Sequence, residues 1–553
     1  MRIGIQLAQI GQQADPSAVR ACAQAAEASG YDSVWVLDRL LAPAAPVEIA
    51  HHLVAAGPAV DQVRTARYLG LAATRSLQVS SYEEAVELCR HALDLLGPAG
   101  EPTARIDALL TLGAALLAGG DVGAARRSYF DAAALAGRIG DGARLAAAAT
   151  GSGLGTGVGV TFEPGRIDVE RVNLLEGALR LLAGEDPALE VWVLSYLVVA
   201  LQDDPDPTRR AEASQRAEEL AGQLAVPRLV SAAAIARRLV LADLDVDMGD
   251  RLEVGRVAID QGDQAEDMPL RIVSRLGHLA DLLEAGDLAG HAEVLTEVDR
   301  LVGSLRQRRW HWFVDVARAG QELAIGRYGE AEDQIDRALS GVGGAHGAAP
   351  HQTHALQRLV LERDRGTAAL SVERLTTLPG LPLGGTLRAA ALGLALVAVG
   401  DLRAAAEVYR PVATEGFATV PRNQLWLVTV AWLAETAAAL GDAEGCGELD
   451  ELLDGRDDRL VALGGAGVAG SVARVRGLLA GVAGPPEAAV ALHARALARH
   501  GRLGLRPWEA RSTWELATAL RRSGDVPAAE SAARRAGDLA RTLGMVLPGQ
   551  HAG

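Results

Sequence analysis

Residues 513–540 read TWELATALRRSGDVPAAESAARRAGDLA, and this stretch decides the fold. Apolar and small residues recur three and four apart on both sides of Gly524-Asp525, a spacing that lines one face of a helix. Glycine closes the first helix in the left-handed conformation, and the aspartate after it caps the second through its carboxylate. Two amphipathic helices joined by a tight turn are therefore predicted. The same pattern recurs at 109–136, LLTLGAALLAGGDVGAARRSYFDAAALA, and at 312–339, WFVDVARAGQELAIGRYGEAEDQIDRAL. Its clearest turns are Gly120-Asp121, Gly286-Asp287, Gly400-Asp401, Gly441-Asp442 and Gly524-Asp525, with Gly326-Arg327 and Gly484-Pro485 as variants. Several successive turns lie about 40 residues apart, and a fixed period of that length marks an α-solenoid.

Composition agrees. The 553 residues are 49% hydrophobic but only 3% aromatic, so the apolar half is mostly Ala, Leu and Val. Alanine and leucine lead the helix propensity scale. Small residues such as Gly113, Ala124 and Ala125 let helices approach closely. Lysine is absent, so all 54 basic residues are arginine. This excludes a G-x-x-x-x-G-K-[ST] nucleotide loop, and hence an ATP site of that type, along with Schiff-base chemistry on a lysine amine. A formal charge of −16 with no basic tract speaks against nucleic acid and against anionic membranes. Cys22, Cys89 and Cys446 are far apart and odd in number, as expected of free thiols in a reducing compartment. The start, MRIGIQLAQIG, lacks a signal-peptide pattern, and no apolar run reaches the roughly 20 residues of a membrane span. A cytoplasmic protein is expected.

The first 46 residues read differently. Ile3, Ile5 and Leu7 alternate with Gly4 and Gln6, Asp15-Pro16 opens an alanine-rich helix that Gly30 ends, and Tyr31–Leu37 is a second strand candidate. Strand, helix and strand in this order form a βαβ unit with parallel strands. MRIGIQLAQIG together with AQAAEASGYDSVWVLDRLLAP resembles the N-terminus of the luciferase-like monooxygenases. That resemblance implies the opening of a TIM barrel using flavin or deazaflavin, with Asp38 and Arg39 near the cofactor. It stops near Pro46, and one βαβ unit cannot close an eight-stranded barrel.

Over roughly 48–553 the helical pairs resemble tetratricopeptide repeats. The region also resembles the helical half of actinobacterial AfsR- and LuxR-type signal-transduction ATPases, through AHHLVAAG at 50–57, SSYEEAVELCRHALDLLGPAGEP at 80–102 and LLEGALRLLAGEDPALEVWVLSYL at 174–197. The resemblance implies a sensor or scaffold arm lacking the nucleotide-binding and DNA-binding modules. The expected organisation is a βαβ fragment at 1–46, helical repeats at 48–150, a Gly-rich loop at 151–167, repeats at 168–345, a loop-rich connection at 346–384 and repeats at 385–547.

Candidate chemical sites are few. The glycines from Gly151 to Gly159 do not satisfy G-x-G-x-x-G and follow a helix, so they read as a loop. His51 and His52 are adjacent and diverge on a helix, and His346, His351 and His354 lie in a Gly/Ala/Pro-rich stretch without completing ligands. Arg306 to Trp312 mixes base and aromatic, with Trp310 expected in the core and Trp312 on the groove wall, or the reverse. Asp203-Asp204 and Asp457-Asp458 read as solvated turn residues or helix caps. No catalytic pair or triad stands out.

The reading is thus a mainly α protein, an α-solenoid of tetratricopeptide-like helical hairpins with a small N-terminal βαβ fragment. It binds a protein or peptide partner in its groove, needs no cofactor or metal, and serves transcriptional or signalling control. The alternative is a luciferase-like oxidoreductase using flavin or deazaflavin through residues 1–46.

Overall fold

The computed structural model describes residues 4–7, 21, 24, 25, 28, 33–36, 46–56, 61–151, 167–182, 184–204, 206–243, 247–305, 307–342, 349–377 and 385–549. Among them are twenty-five α-helices, two three-residue 3-10 helices and four short strands. The chain divides into two units, residues 1–108 and 109–553, the division falling inside the helix Pro102–Gly119. The change of pattern near residue 47 is therefore not where the units part.

In the first unit, β1 (Gly4–Leu7) pairs in parallel with β2 (Ser33–Val36), Ile5 opposite Val34 and Leu7 opposite Val36. Ala21, Gln24, Ala25 and Ala28, the described residues between them, are helical. This is the βαβ connection that the alternation of residues 3–7 predicts. Helices Pro46–Ala55, Gln62–Gln78 and Tyr82–Leu96 follow. Their shared core is Ala66, Leu69, Ala72, Ala92 and Leu96, with Ala50 and Ala104 beside them. Side chains this small bring helix axes close, as ridge-into-groove contacts require. Cys89 is buried and free, and burial pushes its thiol up to about 12.

The second unit is a run of helical hairpins. At its last turn Gly524 takes φ +91°, and an Asp525 carboxylate oxygen accepts from the Ala528 N–H at 3.1 Å. The same left-handed glycine and capping aspartate recur at Gly120-Asp121, Gly286-Asp287, Gly400-Asp401 and Gly441-Asp442. Gly484 departs from the set: its φ is −120°, and the helix Pro486–Arg502 starts from Pro485 without a side-chain cap. A Cβ on Gly113 would come within 2.8 Å of the Tyr129 ring, which explains glycine mid-helix despite its cost of about 1 kcal/mol.

Two expectations need correction. The described part of the stretch 346–384, residues 349–377, is not loop-rich: Ala349–Asp364 and Ala369–Thr377 are helices. Histidines and glycines around 346–351 weaken the local helix signal, and burial of Leu356, Leu359 and Val360 in the core overrides it. Second, the repeats at 385–547 are interrupted by a β-hairpin. β3 (Leu460–Ala462) runs antiparallel to β4 (Val468–Ser471), and all seven strand residues are buried. VALGGAGVAGS carries no period-2 polarity because both faces meet protein, so it resembles a helix segment in sequence.

Candidate binding cleft

Four successive hairpins supply the site. Their first helices, Gly385–Ala398, Trp426–Leu440, Val472–Ala483 and Arg506–Ser523, lie side by side as an inner rank. A cavity of about 740 Å³ opens along this rank. Leu394, Val397, Leu478, Val482 and Ala489 form its walls, and the C-terminal segment Val546–Gly549 borders it. That segment is pinned by a 2.7 Å bond from the Val546 N–H to the Asp364 carbonyl. Val399 and Leu402 stand exposed at the rim, with Arg522 as the one exposed cation among the lining residues.

The floor is charged. Arg474 is 1% exposed and bridges two carboxylates, Nη1 to Glu435 Oε1 at 2.8 Å and Nη2 to Glu515 Oε1 at 2.7 Å. Arg363 Nη1 reaches Glu435 Oε2 at 3.1 Å. Behind them Arg511 Nη2 binds Asp364 Oδ1 at 2.5 Å, and the Tyr328 hydroxyl donates to Asp364 Oδ2 at 3.0 Å. The Trp508 ring sits under three guanidiniums, those of Arg474, Arg363 and Arg511, at 5.2, 5.3 and 5.9 Å. Of the inner rank, Trp426–Leu440, Val472–Ala483 and Arg506–Ser523 each send one or two charges inward, while Arg363 and Asp364 come from the earlier helix Ala349–Asp364; helical spacing puts Arg511 and Glu515 on one face.

Burial sets the electrostatics. It would raise the Glu435 carboxyl, but the guanidiniums of Arg474 and Arg363 outweigh it and hold the group at about 2. Glu515 goes the other way, raised because burial exceeds what Arg474 returns. Burial, reinforced by Arg511, pulls the Arg363 guanidinium down to about 10, so Glu435 does not fully compensate it. His493, 3.8 Å from Glu515 Oε2, is lowered to about 3 by burial and by Arg474. Unfilled capacity remains at Arg363 Nε and Nη2, Glu515 Oε2 and His493 Nδ1, buried atoms with no hydrogen-bond partner among the described residues.

The residues singled out in sequence fall elsewhere. Asp38 and Arg39 lie outside the described residues, as do His346 and most of the Gly151–Gly159 run. His51 and His52 sit on Pro46–Ala55 and are exposed. His351 and His354 lie on a helix, with His354 Nε2 3.2 Å from Asp336 Oδ1. Among the described residues no three His, Cys, Asp or Glu side chains converge as a metal site needs. Trp310 is buried in the core at 1% exposure, and Trp312, 6% exposed, lines the small cavity beside the 460–471 hairpin. Asp203 is not solvated: it is 9% exposed and accepts from Asn423 Nδ2 at 2.6 Å. Asp457 and Asp458 do lie in a turn, paired with Arg495.

The charged floor was missed. Its pairs are 39, 41, 72 and 147 residues apart, so no local motif joins them. A signal was present in Glu435, the lone charge of WLVTVAWLAETAAAL, because such a residue needs a buried partner.

No protein-family model and no curated protein sequence matches this chain. Among solved structures it is similar to the APC/C hetero-tetramer Cut9-Hcn1, at 14% identity over 90% of this chain and 98% of that one, with a TM-score of 0.33. It is also similar to yeast Tom70, at 13% identity over 87% and 97%, with a TM-score of 0.32. Scores this low carry no argument, and the fold rests on the hairpins themselves. Among the described residues no helix is long and apolar enough to cross a membrane.

Proposed function

We propose that the chain is a helical-repeat scaffold that acts by binding, with a protein or peptide partner seated on the inner rank of helices between 385 and 523. One observation carries the reading: an open cavity of about 740 Å³ with aliphatic walls and exposed Val399 and Leu402 at its rim. Exposed apolar side chains gathered around a concave opening favour an interaction surface. A role in signalling or transcriptional control is the context suggested by the sequence resemblance. The test places a photocrosslinking amino acid at Leu402 and, separately, at Glu530 on the second helix of the last hairpin, in the cells that make the protein. The expected result is one polypeptide captured from Leu402 and not from Glu530. Equal capture at both sites, or none at Leu402, overturns the reading.

A further inference from the structure

A second, smaller cavity shares no lining residue with the binding cleft. It holds about 40 Å³. One water needs roughly 10–15 Å³ by this measure, so the space suits about three waters or one tetrahedral oxyanion. Its lining is cationic. Among the described residues Arg210, Arg238, Arg251 and Arg459 converge on it from four separate segments, against two lining carboxylates, Asp281 and Glu284. Asp203, which acts on Arg210, adds a third negative charge and leaves one cation in excess, Asp204 being paired with Arg209. Burial pulls the Arg210 guanidinium down to about 10, so its carboxylate neighbours do not fully compensate it. Cations gathered out of water are costly unless anions complete them.

Spare donors face one another here. Asp281 Oδ1 lies 2.8 Å from Arg238 Nη1 and 2.9 Å from Arg251 Nε, so the two guanidiniums are neighbours. Arg251 gives Nη2 to Glu284 at 2.6 Å, and its Nη1 has no partner among the described residues. Arg238 gives only Nη1, which leaves its Nε and Nη2 unused among the described residues. Gly277 keeps that edge clear, since a Cβ there would stand 2.7 Å from Nε. These three nitrogens are open, whereas Arg363 Nε and Nη2 are sealed. Gln424 is exposed and lies on the lining, which marks the mouth.

We propose that this cavity binds a phosphate-like oxyanion, its oxygens accepting from Arg251 Nη1 and from the Nε/Nη2 edge of Arg238, with Arg210 and Arg459 completing the positive surround. Guanidiniums suit such an occupant because their N–H groups are fixed in a plane and match the spacing of phosphate oxygens. The bound anion ties helices Pro207–Leu224, Pro227–Asp243 and Met248–Gln264 to the segment ahead of β3. The inference is separate from partner docking, so either can fail alone.

The test is calorimetric titration of the full chain with inorganic phosphate, sulfate, glycerol 3-phosphate and acetate, in chloride at constant ionic strength. Phosphate should bind saturably at one site, sulfate should compete with it, and acetate should not. Melting temperature should rise with phosphate concentration, as for any ligand of the native state. Glycerol 3-phosphate separates the sources: affinity equal to that of phosphate assigns the site to a phosphate monoester whose remainder passes Gln424, and much weaker affinity assigns it to the free anion. Arg238→Gln should weaken phosphate by about tenfold or more, the usual worth of a buried charge-assisted pair. If that variant fails to fold, Gln424→Glu, an isosteric change at the exposed mouth, should weaken phosphate by about tenfold through charge repulsion, at an unchanged melting temperature in chloride. No saturable heat with phosphate, equal binding of acetate, or an affinity that survives Arg238→Gln or Gln424→Glu overturns the proposal.

Discussion

Two stretches of the inner face within residues 109–553 solve the same problem in opposite ways. Along helices Met268–Ala285 and Arg308–Ile325 the interior is filled by the chain itself. The β3–β4 hairpin lies against both, and Gln357 Nε2 donates to Val316 O at 2.9 Å and to Ala466 O at 2.8 Å, tying helix to hairpin. The contact is so close that a Cβ on Gly320 would stand 2.3 Å from Ala466 O. Charges there are consumed as well: Arg238 and Arg251 share Asp281, while Arg251 and Arg459 share Glu284. About 160 Å³ remains beside the hairpin tip. Along the later helices no described residue fills the face, and the volume is about 740 Å³. The repeat array thus leaves an opening where its described chain does not supply the filling.

Substitutions can break this contrast. The largest effect is expected at Arg474, which holds two buried carboxylates. Arg474→Met should cost about 3–5 kcal/mol by denaturant unfolding, because removing one member of a buried ion network strands the others. Adding Glu515→Leu should recover most of that loss, since Glu435 keeps Arg363 as its partner. Failure of the second change to recover stability would show that packing around Trp508 matters more than charge. On the filled side, Gly320→Ala should cost about 1–3 kcal/mol, the usual range for overpacking. A wild-type melting temperature in that variant would mean the hairpin is not seated as described.

A smaller effect is expected with pH. His493 and His500 are held neutral by burial, each lowered from 6.5 to about 3. Between those values the unfolded chain takes up protons that the native state refuses, so stability falls as pH falls. Glu435, depressed from 4.5 to about 2, adds a second loss as pH drops through that lower window. Melting temperature should therefore decline below about pH 6.5 and more steeply below about 4.5. His493→Asn should reduce the slope across the whole window from about 6.5 to about 3, leaving the contributions of His500 and Glu435 in place.

Much of the fold was legible because it is local. The glycine–aspartate turns, the amphipathic faces and the parallel βαβ start depend on spacings of a few residues, and the structure has each of them. The hairpin at 460–471 was not legible, because burial on both faces removes the alternation that identifies a strand. The helices at 349–377 were hidden by weak local signals that tertiary burial overrides. The site was the least legible part. Arg363, Glu435, Arg474 and Glu515 come from separate hairpins, and apart from Glu435, the lone charge of its apolar helix, each looks like an ordinary surface charge until its neighbours are known.

The central claim is that the inner face is open beside Ala438 and closed over Ala317. It is tested most directly by thiol labelling of Ala438→Cys and Ala317→Cys, each in a background without Cys22, Cys89 and Cys446. Ala438 lines the open cavity, and Ala317 lies beneath the hairpin tip. The account predicts rapid maleimide modification at position 438, and modification at 317 only at the rate of unfolding. Labelling of 317 as fast as 438, or a 438 thiol that is protected without any ligand, would contradict it.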